Sequence, residues 1–195
     1  MTDEKEFIQQ LLNPKTQNTA FQKLLSDYQR PLYSHIRNIV LDHDDTDDVL
    51  QNTFVKVFQH LKNFKGESKL FSWMYRIATN EALTFLNQKA KLSGLTSEAL
   101  QTKTIENLKS DVYFDGDEIQ IKLQKAIVTL PEKQQLVFKM KYFEELKYEE
   151  IAEILGTSVG ALKASYHHAV KKLNYMLHQI KPFVKKLSYR HYESI

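Results

Sequence analysis

From residue 149 to 163 the chain reads Glu149-Glu150-Ile151-Ala152-Glu153-Ile154-Leu155-Gly156-Thr157-Ser158-Val159-Gly160-Ala161-Leu162-Lys163. Two helices set close together at a steep angle need three things: a small residue where they touch, a glycine free to take positive φ at the turn, and an apolar anchor in the second helix. Ala152, then Gly156 four residues on, then Leu162 six later supply all three. Ser158 suits the cap of the second helix. Val159, Leu162, Tyr166, Ala169 and Leu173 form its inner stripe, and Gly160, Lys163, Ala164, His167, His168, Lys171 and Lys172 its outer face. Small residues and donors near a helix start suit insertion into a DNA major groove. A plain helical hairpin with a solvated basic face fits the same residues.

Outward from this turn the pattern stays helical. Ile121, Leu123, Ile127 and Leu130 mark a helix starting near Asp117, and Pro131 opens the next, with Val137, Phe138, Met140 and Phe143 expected inside. Tyr148–Leu155 is a short helix, and Val159 to about Ile180 a long one. Upstream, Phe7, Ile8, Leu11 and Leu12 form an amphipathic turn pattern ending at Asn13-Pro14. Phe21, Leu24, Leu25 and Tyr28 repeat at helical spacing, and Pro31 is expected in the first turn of a new helix. Asp42 to Asp48 is acidic and suits a helix start. The next helix, about 46–63, buries Leu50, Phe54, Val57, Phe58 and Leu61; a further helix, about 69–90, follows a turn at Lys65-Gly66-Glu67-Ser68. Residues 92–116 lose this periodicity and hold Ser93-Gly94 and Asp115-Gly116. They read as an acidic, flexible linker with room for a short helix near Ile105 and Leu108. A structureless loop of that length inside one compact domain is unusual.

The expected architecture is therefore all-α: two helical domains, 1–91 and 117–180, joined by the linker 92–116, with a tail at 181–195. Composition agrees. Of 195 residues only 5 are glycine and 4 proline, too few for a turn-rich β-sandwich. With no cysteine, disulfides, thiolate metal sites and a cysteine nucleophile are excluded. No apolar stretch is long enough to span a membrane, so direct membrane insertion is not expected. The charged N-terminus, Met1-Thr2-Asp3-Glu4-Lys5-Glu6, lacks a signal-peptide core and points to the cytoplasm. Net charge is +3, unevenly spread: +1 over residues 1–95, −4 over 96–118 and +6 over 119–195. A basic C-terminal third hints at a polyanionic partner.

Two further groupings stand out. Phe64 to Asn80 interleaves Lys65, Lys69 and Arg76 with Phe71, Trp73 and Tyr75 around Gly66. Aromatic rings stack unpaired bases while cations hold phosphates, although isolated aromatics bury by default. On the preceding helix, Asp48, Gln51, Asn52 and Val55 share an outer face, fit for a partner helix or for solvent. The acidic run at Asp42–Asp48 lacks the glycine and distal glutamate of a calcium loop. His167 and His168 are adjacent and point about 100° apart, poor joint ligands. No metal, cofactor or catalytic residue is expected.

In order and spacing these residues resemble the extracytoplasmic-function type of bacterial sigma factor, in the sigma-70 family. Its second region carries Asp-x-x-Gln and later Trp-x-x-x-Ile-Ala-x-Asn; here these are Asp48 and Gln51, then Trp73, Ile77, Ala78 and Asn80. Its fourth region carries Leu-Pro, then Tyr-x-Glu-Ile-Ala-x-x-Leu-Gly and a Gly and Lys beyond. Here these are Leu130-Pro131, then Tyr148, Glu150, Ile151, Ala152, Leu155, Gly156, Gly160 and Lys163. The resemblance covers about residues 20–90 and 118–178.

The resemblance implies a transcription initiation factor, not an enzyme, that joins core RNA polymerase through its β′ and β subunits, recognises promoter DNA and promotes strand opening. Asp48, Gln51, Asn52 and Val55 would dock on the β′ coiled coil. Lys65, Lys69, Phe71, Ser72, Trp73, Arg76 and Asn80 would capture flipped bases of the minus-ten element. Ser158, Gly160, Ala161, Lys163, Ala164, His167, His168 and Lys171 would read the minus-thirty-five element. The linker would thread the RNA-exit path, and an anti-sigma factor is a further partner the family admits. The sequence departs from the family at Thr84 and Asn87, where Asp and Arg are usual, and at Ser165 and His168, where Arg is common. Fewer arginines mean fewer bidentate contacts to guanine. A conventional helix-turn-helix regulator, or an adaptor that binds no DNA, are the competing expectations.

Overall fold

The structure is a computed structural model that describes residues 2–64, 66–108 and 118–177. All regular secondary structure among these residues is helical, with no strand among them. The order is α1 (Thr2–Leu12), α2 (Gln17–Val40), α3 (His43–His60), a 3-10 turn (Leu61–Asn63), α4 (Leu70–Leu92), α5 (Ser97–Asn107), α6 (Glu118–Val128), α7 (Glu132–Tyr142), α8 (Tyr148–Leu155) and α9 (Val159–Met176). The chain divides into two compact units: the chain passes from the first to the second within α4, between Leu86 and Asn87, and Glu153–Leu155 at the end of α8 group with the first.

The first unit closes around Leu11, Leu24, Leu32, Ile36, Val49, Val57, Leu61, Leu70, Met74 and Ala78, all 1% exposed or less. α2 departs from expectation. It runs unbroken through Pro31, which stands inside the helix rather than at the start of a new one. Leu24 before the proline and Leu32, Ile36 and Ile39 after it are buried, so packing outweighs the lost backbone hydrogen bond. The helix ends at Leu41 in the left-handed region, φ 72°, with its N–H bonded to Arg37 O. That conformation is costly for leucine, and burial of its side chain to 4% exposure offsets it. Asp42 then caps α3, its carboxylate accepting from Asp45 N at 3.0 Å. Buried His35 ties α2 to α4: its Nε2 lies 2.9 Å from Thr79 Oγ1. Because the Thr79 hydroxyl donates to Tyr75 O at 2.7 Å, the imidazole is the donor of the pair.

In the second unit, the stretch expected to be linker holds a full helix. Thr96 caps α5 by accepting from Ala99 N at 3.1 Å. Leu100, Gln101, Ile105 and Leu108 are buried, and α5 packs on α6. Residues 109–117, the rest of that stretch, lie outside the described residues. Pro131 precedes α7, and Gln135 Nε2 seals the turn by donating to Val128 O and Leu130 O at 3.0 and 2.9 Å. α7 packs on α9. Phe138 lies at the centre, 5.1 Å from the Tyr142 ring and 5.9 Å from that of Tyr166. Phe143, expected in this core, is 37% exposed because α7 ends at Tyr142 and the chain turns away. The tail 181–195 lies outside the described residues.

Candidate nucleic-acid interface

The α8–α9 pair forms as its sequence dictates. Gly156 ends α8 at φ 62°, ψ 41°, a left-handed cap that glycine adopts without penalty. A Cβ built there meets nothing within 4 Å, so the requirement for glycine is conformational rather than spatial. Ser158 caps α9, its Oγ accepting from Ala161 N at 3.3 Å. Leu162, Tyr166, Ala169 and Leu173 are buried, while Val159 is half-buried. On the opposite face Ser158, Gly160, Ala161, Lys163, Ala164, His167, His168 and Lys171 are all exposed. Lys163 and Lys141 both approach the ring of Tyr148, at 5.8 and 5.1 Å, as cation–π pairs. Burial raises the Tyr148 phenol above its ordinary value, so it stays neutral beside them. The surface is basic, small near the helix start, and free of large side chains there.

In the first unit, Lys69, Arg76 and Asn80 are exposed on or beside α4. Trp73 is half-buried, its ring 5.0 Å from that of buried Phe64, and Phe71 is half-buried 4.1 Å from Tyr75. Each ring leaves part of its surface open for stacking. Ser72 differs from the expected contact surface. It is 1% exposed, and its Oγ has no hydrogen-bond partner among the described residues. Its hydroxyl faces the core side of α4, so in this conformation it reaches no ligand. Lys65 lies outside the described residues.

On α3, Asp48, Gln51, Asn52 and Val55 are all exposed, Val55 at 53%. Phe58, expected inside, is 43% exposed and meets Phe21 edge to face at 5.0 Å. It extends the same face by three residues from Val55, at helical spacing, and departs from the core placement expected of it because phenylalanine usually buries. Asn87, at a position where the family usually has Arg, accepts from the Ser97 hydroxyl at 2.7 Å and so braces the α4–α5 turn. Thr84 and His168 are exposed, and Ser165 is half-buried.

Comparison with known proteins agrees with this layout. Residues 24–92 match the family description "Sigma-70 region 2" and residues 120–173 match "Sigma-70, region 4". The chain is 30% identical over 158 residues to the RNA polymerase sigma-H factor of Pseudomonas aeruginosa, covering 77% of this chain and 82% of that protein. It is 26% identical over 175 residues to the ECF RNA polymerase sigma factor SigW of Bacillus subtilis, covering 85% and 93%. Among solved structures, CnrH in complex with the cytosolic domain of CnrY superposes with a TM-score of 0.65 at 18% identity, over 90% of this chain and 97% of that one. The sigma factor RpoE of Bartonella quintana, in complex with the anti-sigma factor NepR, superposes with a TM-score of 0.60 at 19% identity, over 81% and 96%. Both regions are present in order, at the elements that carry the exposed faces described above, and the chain belongs to the sigma-70 family of RNA polymerase sigma factors, in its extracytoplasmic-function branch.

Proposed function

We propose that this chain docks on core RNA polymerase, directs it to promoters with two recognition elements, and helps open the DNA between them and the start site. The observation that carries this reading is the pairing of a region 2 match at 24–92 with a region 4 match at 120–173 in one chain. The α3 face of Asp48, Gln51, Asn52 and Val55, extended by Phe58, meets the β′ coiled coil. Its mix of exposed carboxylate, amides and two apolar side chains is the kind of surface that packs on another helix. Lys65, Lys69, Phe71, Trp73, Arg76 and Asn80 receive unstacked minus-ten bases. Unstacking costs a few kcal/mol, which stacking on the open ring faces and phosphate contacts must offset. α9 reads the minus-thirty-five duplex through Lys163, His167, His168 and Lys171. The protein performs no bond chemistry of its own; the polymerase does. It works in the cytoplasm, where the polymerase is, and among the described residues no helix is long and apolar enough to cross a membrane. The structural likeness to CnrH and to the sigma factor RpoE, both solved with partners, one of them named as an anti-sigma factor, supports an anti-sigma protein as regulator.

The test is reconstitution. Purified chain plus core polymerase should start transcription from a subset of genomic promoters, identified by sequencing the DNA that the holoenzyme retains. Tight, specific duplex binding by the chain alone, unchanged by polymerase, would instead identify a conventional helix-turn-helix regulator. Binding to polymerase with no DNA retained under any salt condition would identify an adaptor.

A further inference from the structure

The first turn of α4 is held from a distant part of the chain. A helix start leaves its first N–H groups without intrahelical partners. Leu70 opens α4 and is 1% exposed, so water does not satisfy its N–H fully. The residue before it, Lys69, carries no side-chain acceptor. Glu4 of α1 supplies one: its Oε1 lies 2.8 Å from Leu70 N, across 66 residues of sequence. A carboxylate is also the favoured charge at that end of a helix. The bond borders a cavity of about 660 Å³ lined by Glu4, Tyr28, Lys69 and Phe71 among others. Burial first, then Glu4, then Asp27 raise the Tyr28 phenol above its ordinary value. α1 itself is also anchored by Leu11, which is fully buried.

We infer that Glu4 is a positioning residue for minus-ten recognition: by fixing the N–H of Leu70 it sets the first turn of α4, from which Lys69, Phe71 and Trp73 project. Glu4 lies outside both matched regions, 24–92 and 120–173, so the family likeness assigns it no role. The inference rests on the function proposed above for that segment. Glutamine at position 4 keeps an acceptor and loses the charge; alanine loses both.

The experiment uses the full chain assembled with core polymerase on a duplex promoter. Glu4→Ala should lower the yield of stable open complexes about fivefold, the scale of a lost helix cap, while Glu4→Gln recovers most of it. Both variants should bind core polymerase with unchanged affinity, and hydrogen exchange at the Leu70 amide should quicken in Glu4→Ala alone. Opening by Glu4→Ala equal to the parent would overturn the inference. Opening above the parent would also overturn it, by showing that the carboxylate obstructs DNA phosphates. A loss that Glu4→Gln fails to recover, or one that tracks polymerase binding, would overturn it as well. If the parent chain forms no open complex, the proposed function falls, and the Leu70 exchange rate still decides whether Glu4 caps α4.

Discussion

Lys139 is 2% exposed on α7, an ammonium held out of water. Burial lowers it from 10.5 to about 8, and Glu144, which opposes the shift, does not cancel it. Between those two values the unfolded chain holds a proton that the folded chain has released. Unfolding therefore takes up protons in that window, and stability rises with pH from about 8 toward 10.5, with the full penalty present below about 8. Denaturant unfolding of the full chain at pH 7.5 and 9.5 should show the second unit more stable at the higher pH. Lys139→Met should flatten that slope and stabilise the protein at neutral pH by up to about 3 kcal/mol. A midpoint that falls between those pH values in the parent, or an unchanged slope in the variant, contradicts the assignment. Lys139 was not legible in the sequence as a buried group, whereas Asp42, Gly156 and Ser158 were. The difference is range. A cap is decided by its neighbours three residues on, and a turn by one φ angle. The surroundings of Lys139, the inward hydroxyl of Ser72 and the partner of Leu70 N are decided by segments far away in the chain.

At the scale of elements, local signals predicted starts and stops well and continuity less well. Asn13-Pro14, Pro131 and Gly156 mark ends or beginnings in the structure as they do in the sequence. Pro31 carries the same kind of signal and is overruled, because α2 is buried on both sides of it. α5 shows the opposite case: its apolar residues are sparse, and what orders it is the face of α6 against which Leu100, Ile105 and Leu108 are packed. The cost retained at Pro31 is measurable. Pro31 is exposed, lacks an N–H, and leaves the carbonyl of Asp27 without its intrahelical donor. Pro31→Ala restores that bond. Proline in a helix interior is about 3 kcal/mol worse than alanine, and part of that is returned because proline also stiffens the unfolded chain. The expected gain is about 1–3 kcal/mol in urea unfolding of the first unit, with the denaturant slope unchanged. A loss of stability would mean that the rest of α2 depends on the proline's fixed φ.

For the whole molecule, the distribution of charge separates roles that the fold alone does not. Residues 96–118 carry −4 and residues 119–195 carry +6. The acidic stretch repels a phosphate backbone, so the proposed attraction of the second unit to duplex DNA rests on the basic residues beyond it, of which Lys163 and Lys171 are exposed on the outer face of α9. Neutralising a phosphate releases a condensed counterion, and each such contact adds about −0.9 to the slope of log affinity against log salt. Holoenzyme binding to a promoter should therefore weaken steeply with salt. Lys163→Gln with Lys171→Gln should reduce the magnitude of that slope by about 2, one for each lysine removed. The same pair of changes should leave polymerase binding intact, because the α3 face that carries Asp48 belongs to the other unit. Promoters altered only in the minus-ten element should lose affinity without any change of slope, since base stacking releases few ions. If the double variant keeps the parent's slope, the outer face of α9 does not lie on the phosphates, and the assignment of α9 as the minus-thirty-five reader fails even though the helix-turn-helix fold stands.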